Sequence, residues 1–321
     1  MLRELKVFLS LLAVTLCAQG SLWPVCDEYK IENTSELSAA LRKVESTVLW
    51  NKTEEIAKGG NATAKGKFDP VKGTEEKIGR IWAKTLLGLK NKDVYLIQDA
   101  LNLYREVRKN YPKPMAQRRS FVTLAKAHAA LRNSMKAEEK PEADSWLIAR
   151  SQDKEFDLDD KTAGWFCNCF KTLAAAAAGR QNLGAPEEIR AMLSQINTDG
   201  MFTAMEIGVS MSLLENVCFA AETISGSGYD IYKNDSLMRW ASALNELKDS
   251  ADVLPGRGWE GDEPFSPAAS FILALRRGIA LRDLRAAAME SPLNAIFYYA
   301  SARKAASYPR LPLLKSPAGS G

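Results

Sequence analysis

Apolar residues recur through this chain at steps of three and four, and no stretch alternates at every second position. From Glu36 onward, Leu37, Leu41, Val44 and Val48 are spaced four, three and four apart, with Asn33 or Thr34 placed to cap the start. That spacing brings them onto one face of an α-helix. Its seam runs on to Asn51, so either the helix frays near Trp50 or a sugar on Asn51 is ruled out. Lys58-Gly59-Gly60-Asn61 then carries turn chemistry. Ile78, Ile81, Trp82 and Leu86, followed by Val94, Ile97, Leu101 and Tyr104, predict helix from about Thr74 to Asn110, bent or broken between Gly88 and Asp93 and stopped by Pro112. After Pro114, Phe121, Leu124, His128, Leu131 and Met135 step by three, four, three and four. Three such seams predict an all-α protein whose long antiparallel helices pack as a hairpin or coiled-coil-like bundle.

Beyond Pro141 the pattern shortens. Pro186-Glu187-Glu188 reads as a helix start, with proline in the first turn and acids at the positive end of the dipole, followed by Ile189, Met192, Leu193 and Ile196. Met201 to Ile224 is expected to be an apolar helix carrying Cys218, and Asp235 to cap a helix bearing Leu237, Trp240, Leu244 and Leu247. Composition changes after Pro255, where seven arginines but only two lysines follow. The expected organisation is a leader at 1–20, a helical domain at 21–254 and an Arg-rich, partly helical segment at 255–321 ending in a loose tail.

Arg3 and Lys6 precede an apolar run from Val7 to Leu16, and Ala18-Gln19-Gly20 precede Ser21. A basic start, a short apolar core and small residues at a cut site describe a secretory signal peptide, and Cys17 leaves with it. Cys26, Cys167, Cys169 and Cys218 remain, an even number bound for an oxidising compartment, with three pairings open to them. Cys167 and Cys169 lie one residue apart, so on a helix they point about 200° away from each other and suit different partners, Cys26 and Cys218. Which sulfur meets which is open. A bond to Cys26 closes a loop of more than a hundred residues, worth about 4 to 5 kcal/mol on the entropic view. Asn33, Asn51, Asn61 and Asn234 each begin an N-glycosylation sequon. The formal net charge is +4, with lysine and glutamate interspersed, which is a solvated surface rather than a nucleic-acid footprint.

The chemistry-bearing residues favour plain structural roles. His128 is the only histidine and sits on a helix seam, where neighbours in sequence supply neither a nucleophile nor an orienting acid. Zinc on Cys167, Cys169 and His128 lacks the usual pair spacing, and a redox dithiol has two intervening residues rather than one. Asp159-Asp160 and Glu187-Glu188 read as solvated or dipole-favoured acids, Gly226-Ser227-Gly228 lacks the strand of a phosphate cradle, and Met201, Met205 and Met211 read as core packing. No catalytic residue, cofactor or metal is expected.

Ser21-Leu22-Trp23-Pro24-Val25-Cys26 after a signal peptide, leading into a long amphipathic helix, resembles the start of the N-terminal domain of trypanosome variant surface glycoproteins and their relatives. Cys167-Asn168-Cys169 before Ala174–Ala178 is similar to the Cys-Leu-Cys element many of them carry before a small-residue stretch. The resemblance covers Ser21 to about Leu254. It implies a helical-hairpin core with a disulfide-tied lobe, N-linked sugars, a homodimer, and a glycolipid-anchored place in a cell-surface coat. Such proteins have no enzymatic activity; they shield the cell, vary antigenically and evade immunity, and related members bind host serum proteins. Asn168 departs from the usual apolar middle residue. No small-residue site with a hydrophobic tail ends the chain, which points to a truncated, divergent or secreted relative. A helical receptor for a host serum protein is the first alternative, and a secreted enzyme using His128 the second.

Overall fold

The computed structural model describes residues 34–59, 70–111, 118–153, 158–180, 186–203, 205–224 and 231–250, together with 269, 272–273 and 291–296. Among them the fold is all-α, with no strand. The helices are α1 Thr34–Leu41, α2 Thr47–Lys58, α3 Pro70–Asn91, α4 Val94–Asn110, α5 Arg118–Leu131, α6 Glu139–Arg150, α7 Asp160–Ala177, α8 Pro186–Leu193, α9 Ile207–Ile224 and α10 Asp235–Ser250, with short 3₁₀ turns at Arg132–Ser134 and Ile231–Lys233.

The single helix expected from Glu36 through Val48 is two. α1 ends at Leu41, and the chain restarts at Ser46, whose hydroxyl accepts from the Leu49 amide. Trp50 Nε1 donates to the Val44 carbonyl at 2.9 Å, so the break is held by an indole rather than left to fray. Val44 stays buried, while Val48 is 54% exposed and leaves the seam. This break also resolves the conflict at Asn51, which lies exposed within α2.

α3 runs through Gly88 without interruption, and the break falls at Lys92 and Asp93, within the expected span. Lys92 takes a left-handed φ of 57°, and the Asp93 carboxylate caps α4 by accepting from the Tyr95 and Leu96 amides. A Cβ at Gly88 would stand 2.8 Å from Ile97 Cδ1, so this glycine permits the close approach of α4. Lys77 pairs with Glu106 and Lys84 with Asp99, so positions advancing along α3 meet positions receding along α4. Ile78, Ile81, Trp82, Leu86, Leu101 and Tyr104 are buried as their spacing predicts. Val94 and Tyr95, at the first turn of α4, are 75% and 86% exposed.

α3 packs on α1, α2, α4 and α5, and α7 packs on α5, α6, α8 and α9. α5 therefore joins the two groups, and from Leu124 to Leu131 every side chain it presents is buried. One continuous apolar core runs through all of them. α7 is capped by Asp159, which accepts from the Lys161 and Thr162 amides. It ends at Gly179 with φ 66°, where Arg180 N bonds Ala175 O and Gly179 N bonds Ala176 O, a Schellman termination. α10 is capped by Asn234 rather than Asp235, because Asn234 Oδ1 accepts from Ser236 N and Leu237 N. α9 begins at Ile207, so Met201 and Met205 precede it and pack from the connecting segment, while Met211 lies within the helix. The composition change after Pro255 does not keep later residues from the interior: Ala269, Ile272, Leu273, Ala295 and Ile296 belong to the same core.

Candidate functional site

Between Leu124 and Leu131, α5 carries two polar side chains, Lys126 and His128, in a buried run otherwise made of alanine and leucine. Two residues apart on a helix, they face about 200° away from each other. Each sits at the centre of its own buried polar cluster.

His128 is fully buried between α4 and α6. Tyr104 Oη lies 2.6 Å from Nδ1, and Asp144 Oδ1 lies 2.8 Å from Nε2. Arg132 clamps the same carboxylate, with Nε 3.0 Å from Oδ1 and Nη2 3.0 Å from Oδ2. Burial works against the Asp144 charge, but hydrogen bonds from His128 and Arg132 outweigh it and hold the carboxyl below its ordinary range. Burial also drives the imidazole down, against the pull of Asp144, and pushes the Tyr104 phenol up. An ionised carboxylate only accepts, so Nε2 carries the ring proton, and Nδ1 accepts from the phenol. The result is a directed chain from Tyr104 through His128 to Asp144, closed by Arg132. Tyr104 is packed edge-on against Trp146 at 6.1 Å.

An acid orienting a histidine is half of a familiar catalytic arrangement. Here the group on the far nitrogen is a phenol as buried as the ring, and neither nitrogen meets solvent. This geometry links three helices and presents no reacting atom to a cleft. Arg105 reinforces it through Glu139 at 3.0 and 2.8 Å, and Arg108 reaches Glu139 and Glu142, tying the start of α6 to α4.

Lys126 points toward α9 and the segment 291–296. Its Nζ is 3.1 Å from Asn294 Oδ1 and 4.3 Å from the centre of the Phe219 ring. Glu215 and Glu222, two turns apart on α9 and both buried, flank that ring. Burial drives the Lys126 ammonium down to about 7, with the two glutamates opposing the fall. Tyr232 Oη sits 2.7 Å from Glu222 Oε1 and 3.1 Å from the Cys218 carbonyl.

The sequence-predicted residues fall in different places. Cys167, Cys169 and Cys218 are buried and are not joined by disulfides among the described residues. Burial raises the Cys169 thiol to about 12 and raises Cys218 as well. Asn51 is exposed, while the third residue of its sequon, Thr53, is buried and donates to the Leu49 carbonyl at 2.8 Å. Asn234 is partly exposed, and its amide oxygen forms the cap. Cys26, Asn33 and Asn61 lie outside the described residues. No three His, Cys, Asp or Glu side chains converge as a metal requires among those described.

Spacing alone singles out none of Asp144, Arg132, Glu215, Glu222 and Asn294, and marks Tyr104 only as a seam residue. The acids of α9 did have a signal, since glutamates inside an otherwise apolar helix need a buried cation. No protein-family model, curated protein or solved structure matches this chain.

Proposed function

We propose that this chain is a non-enzymatic, helical glycoprotein of the secretory pathway. In this reading it is displayed at the cell surface as a coat antigen that shields the cell and varies antigenically. The observation that carries the reading is the direction in which polar chemistry faces. His128, Lys126 and their partners are spent inside, holding helices together, while the described sequon asparagines Asn51 and Asn234 lie outside the core. The paired α3 and α4 are the hairpin at the centre of this surface domain, and disulfides tie its other helices. The protein is a homodimer held at the membrane by a lipid anchor or released from it. Among the described residues no helix is long and apolar enough to cross a membrane.

A receptor reading is favoured by one feature: Val94 and Tyr95 stand exposed at the turn between α3 and α4. There they form an apolar, aromatic contact for a host serum protein.

Expression of the full chain in a eukaryotic host tests the main reading. The protein should reach the medium or surface and shift in mass after enzymatic deglycosylation, with part of the shift lost in Asn51→Gln or Asn234→Gln. Cytosolic retention without any sugar would overturn it. Loss of serum-protein binding in Tyr95→Ala, with secretion intact, would move the assignment to the receptor.

A further inference from the structure

We infer that Cys169 and Cys218 are joined in the mature protein by a disulfide between α7 and α9. The inference rests on the secretory reading for its oxidising compartment, and goes beyond it by naming the pair. Both sulfurs are 0% exposed, and both residues belong to the continuous core, which Cys167, though buried, does not join. On α7, Cys169 shares the core-facing stripe of Phe166, Leu173 and Ala176, all in the continuous core, whereas Cys167 lies on the stripe of Ala163, Phe170, Ala174 and Ala178, of which only Phe170 and Ala174 join that core. On α9, Cys218 lies between Leu214 and Ala221, which are as completely buried as it is. The two helices pack directly on each other, as a disulfide between them requires. Burial, then Glu222 and Glu215, and then the charge Cys169 would carry raise the Cys218 thiol, the last agreeing with the proximity of the two sulfurs.

The bond forms by exchange with a small disulfide such as oxidised glutathione. One Cys thiolate attacks it, releasing a glutathione thiolate and leaving a mixed disulfide. The second Cys thiolate then displaces the remaining glutathione, so two protein thiols are oxidised and one glutathione disulfide is reduced to two thiols. Deprotonation is suppressed once both thiols are buried, so the exchange takes place while α7 and α9 are still assembling.

Reduced, denatured full-length protein refolded in a glutathione redox buffer decides the pairing. After trypsin without reduction, the peptide 162–171 should be linked to 191–233, and fragmentation between Cys167 and Cys169 should place the link on Cys169. Cys167→Ser should keep the link and Cys169→Ser abolish it. The linked protein should melt roughly 5–10 °C above its reduced form. A link from Cys218 to Cys167 or Cys26, or Cys218 recovered as a thiol from refolded protein, overturns the inference. Cytosolic retention of the expressed chain with the correct link formed on refolding would defeat the secretory reading alone.

Discussion

His128 is the chain's one histidine, and its burial in neutral form has a measurable consequence. Unfolded, the ring takes up a proton near its ordinary value of 6.5; folded, it does so only at lower pH. Between those values the unfolded state binds more protons, so stability falls as pH falls through the window. Asp144, held below its ordinary 3.8, adds a loss only at more acid pH. Lys126 acts at the other end: below about 7 it is charged in both states, and stability rises as pH goes from about 7 toward 10.5. Urea midpoints measured from pH 6.5 to 5 should therefore decline in the natural protein. His128→Gln should flatten that decline, at a cost of about 1–3 kcal/mol at neutral pH from the broken chain to Tyr104 and Asp144. An unchanged slope in the variant would contradict the burial of a neutral ring. None of these partners was legible locally, because Asp144 reaches His128 from another helix.

At the scale of elements, helix identity was readable and helix ends were less so. Periodicity placed Ile78 to Leu86, Leu101 to Tyr104 and Phe121 to Leu131 on buried faces, since each seam is long enough to specify a side. It failed at Val48 and Val94, which stand in the first turns of α2 and α4, where the spacing continues across a break in the helix and the register of the buried face is lost. The caps at Ser46, Asp93, Asp159 and Asn234 turn on which side-chain oxygen reaches an amide, and Asn234 rather than Asp235 wins at α10. Two glycines separate local from tertiary constraint. Gly164 in α7 has nothing within 4 Å of an added Cβ, so Gly164→Ala should stabilise by about 0.5–1 kcal/mol through helix propensity. Gly200 has φ 81°, and a Cβ there would stand 2.6 Å from the Arg239 carbonyl on α10. Gly200→Ala should destabilise by about 2–3 kcal/mol, read as a lower urea midpoint. Equal responses at the two positions would refute this packing of α10.

For the whole molecule, the question is how far the domain extends. The change to arginine after Pro255 marks a compositional border, yet Ile272, Leu273 and Ile296 sit in the core and Asn294 meets Lys126. Deleting 255–321 should lower the melting temperature, increase binding of an apolar dye, and open Lys126 to acylating reagents that the full chain excludes. A truncated chain that melts like the full one would show that these contacts contribute nothing to stability.

By itself the sequence determined the fold class, because the repeated three-and-four spacing admits only helices, and it carries the sequons and the basic-then-apolar start on which the secretory proposal rests. Tertiary structure decided which helices meet. Lys126 and His128, two residues apart, belong to separate clusters because a helix turns them to opposite sides. Cys167 and Cys169 divide in the same way, one outside the continuous core and one within it. Residue spacing sets such directions; the partner waiting in each direction comes from another part of the chain, and only packing brings it there.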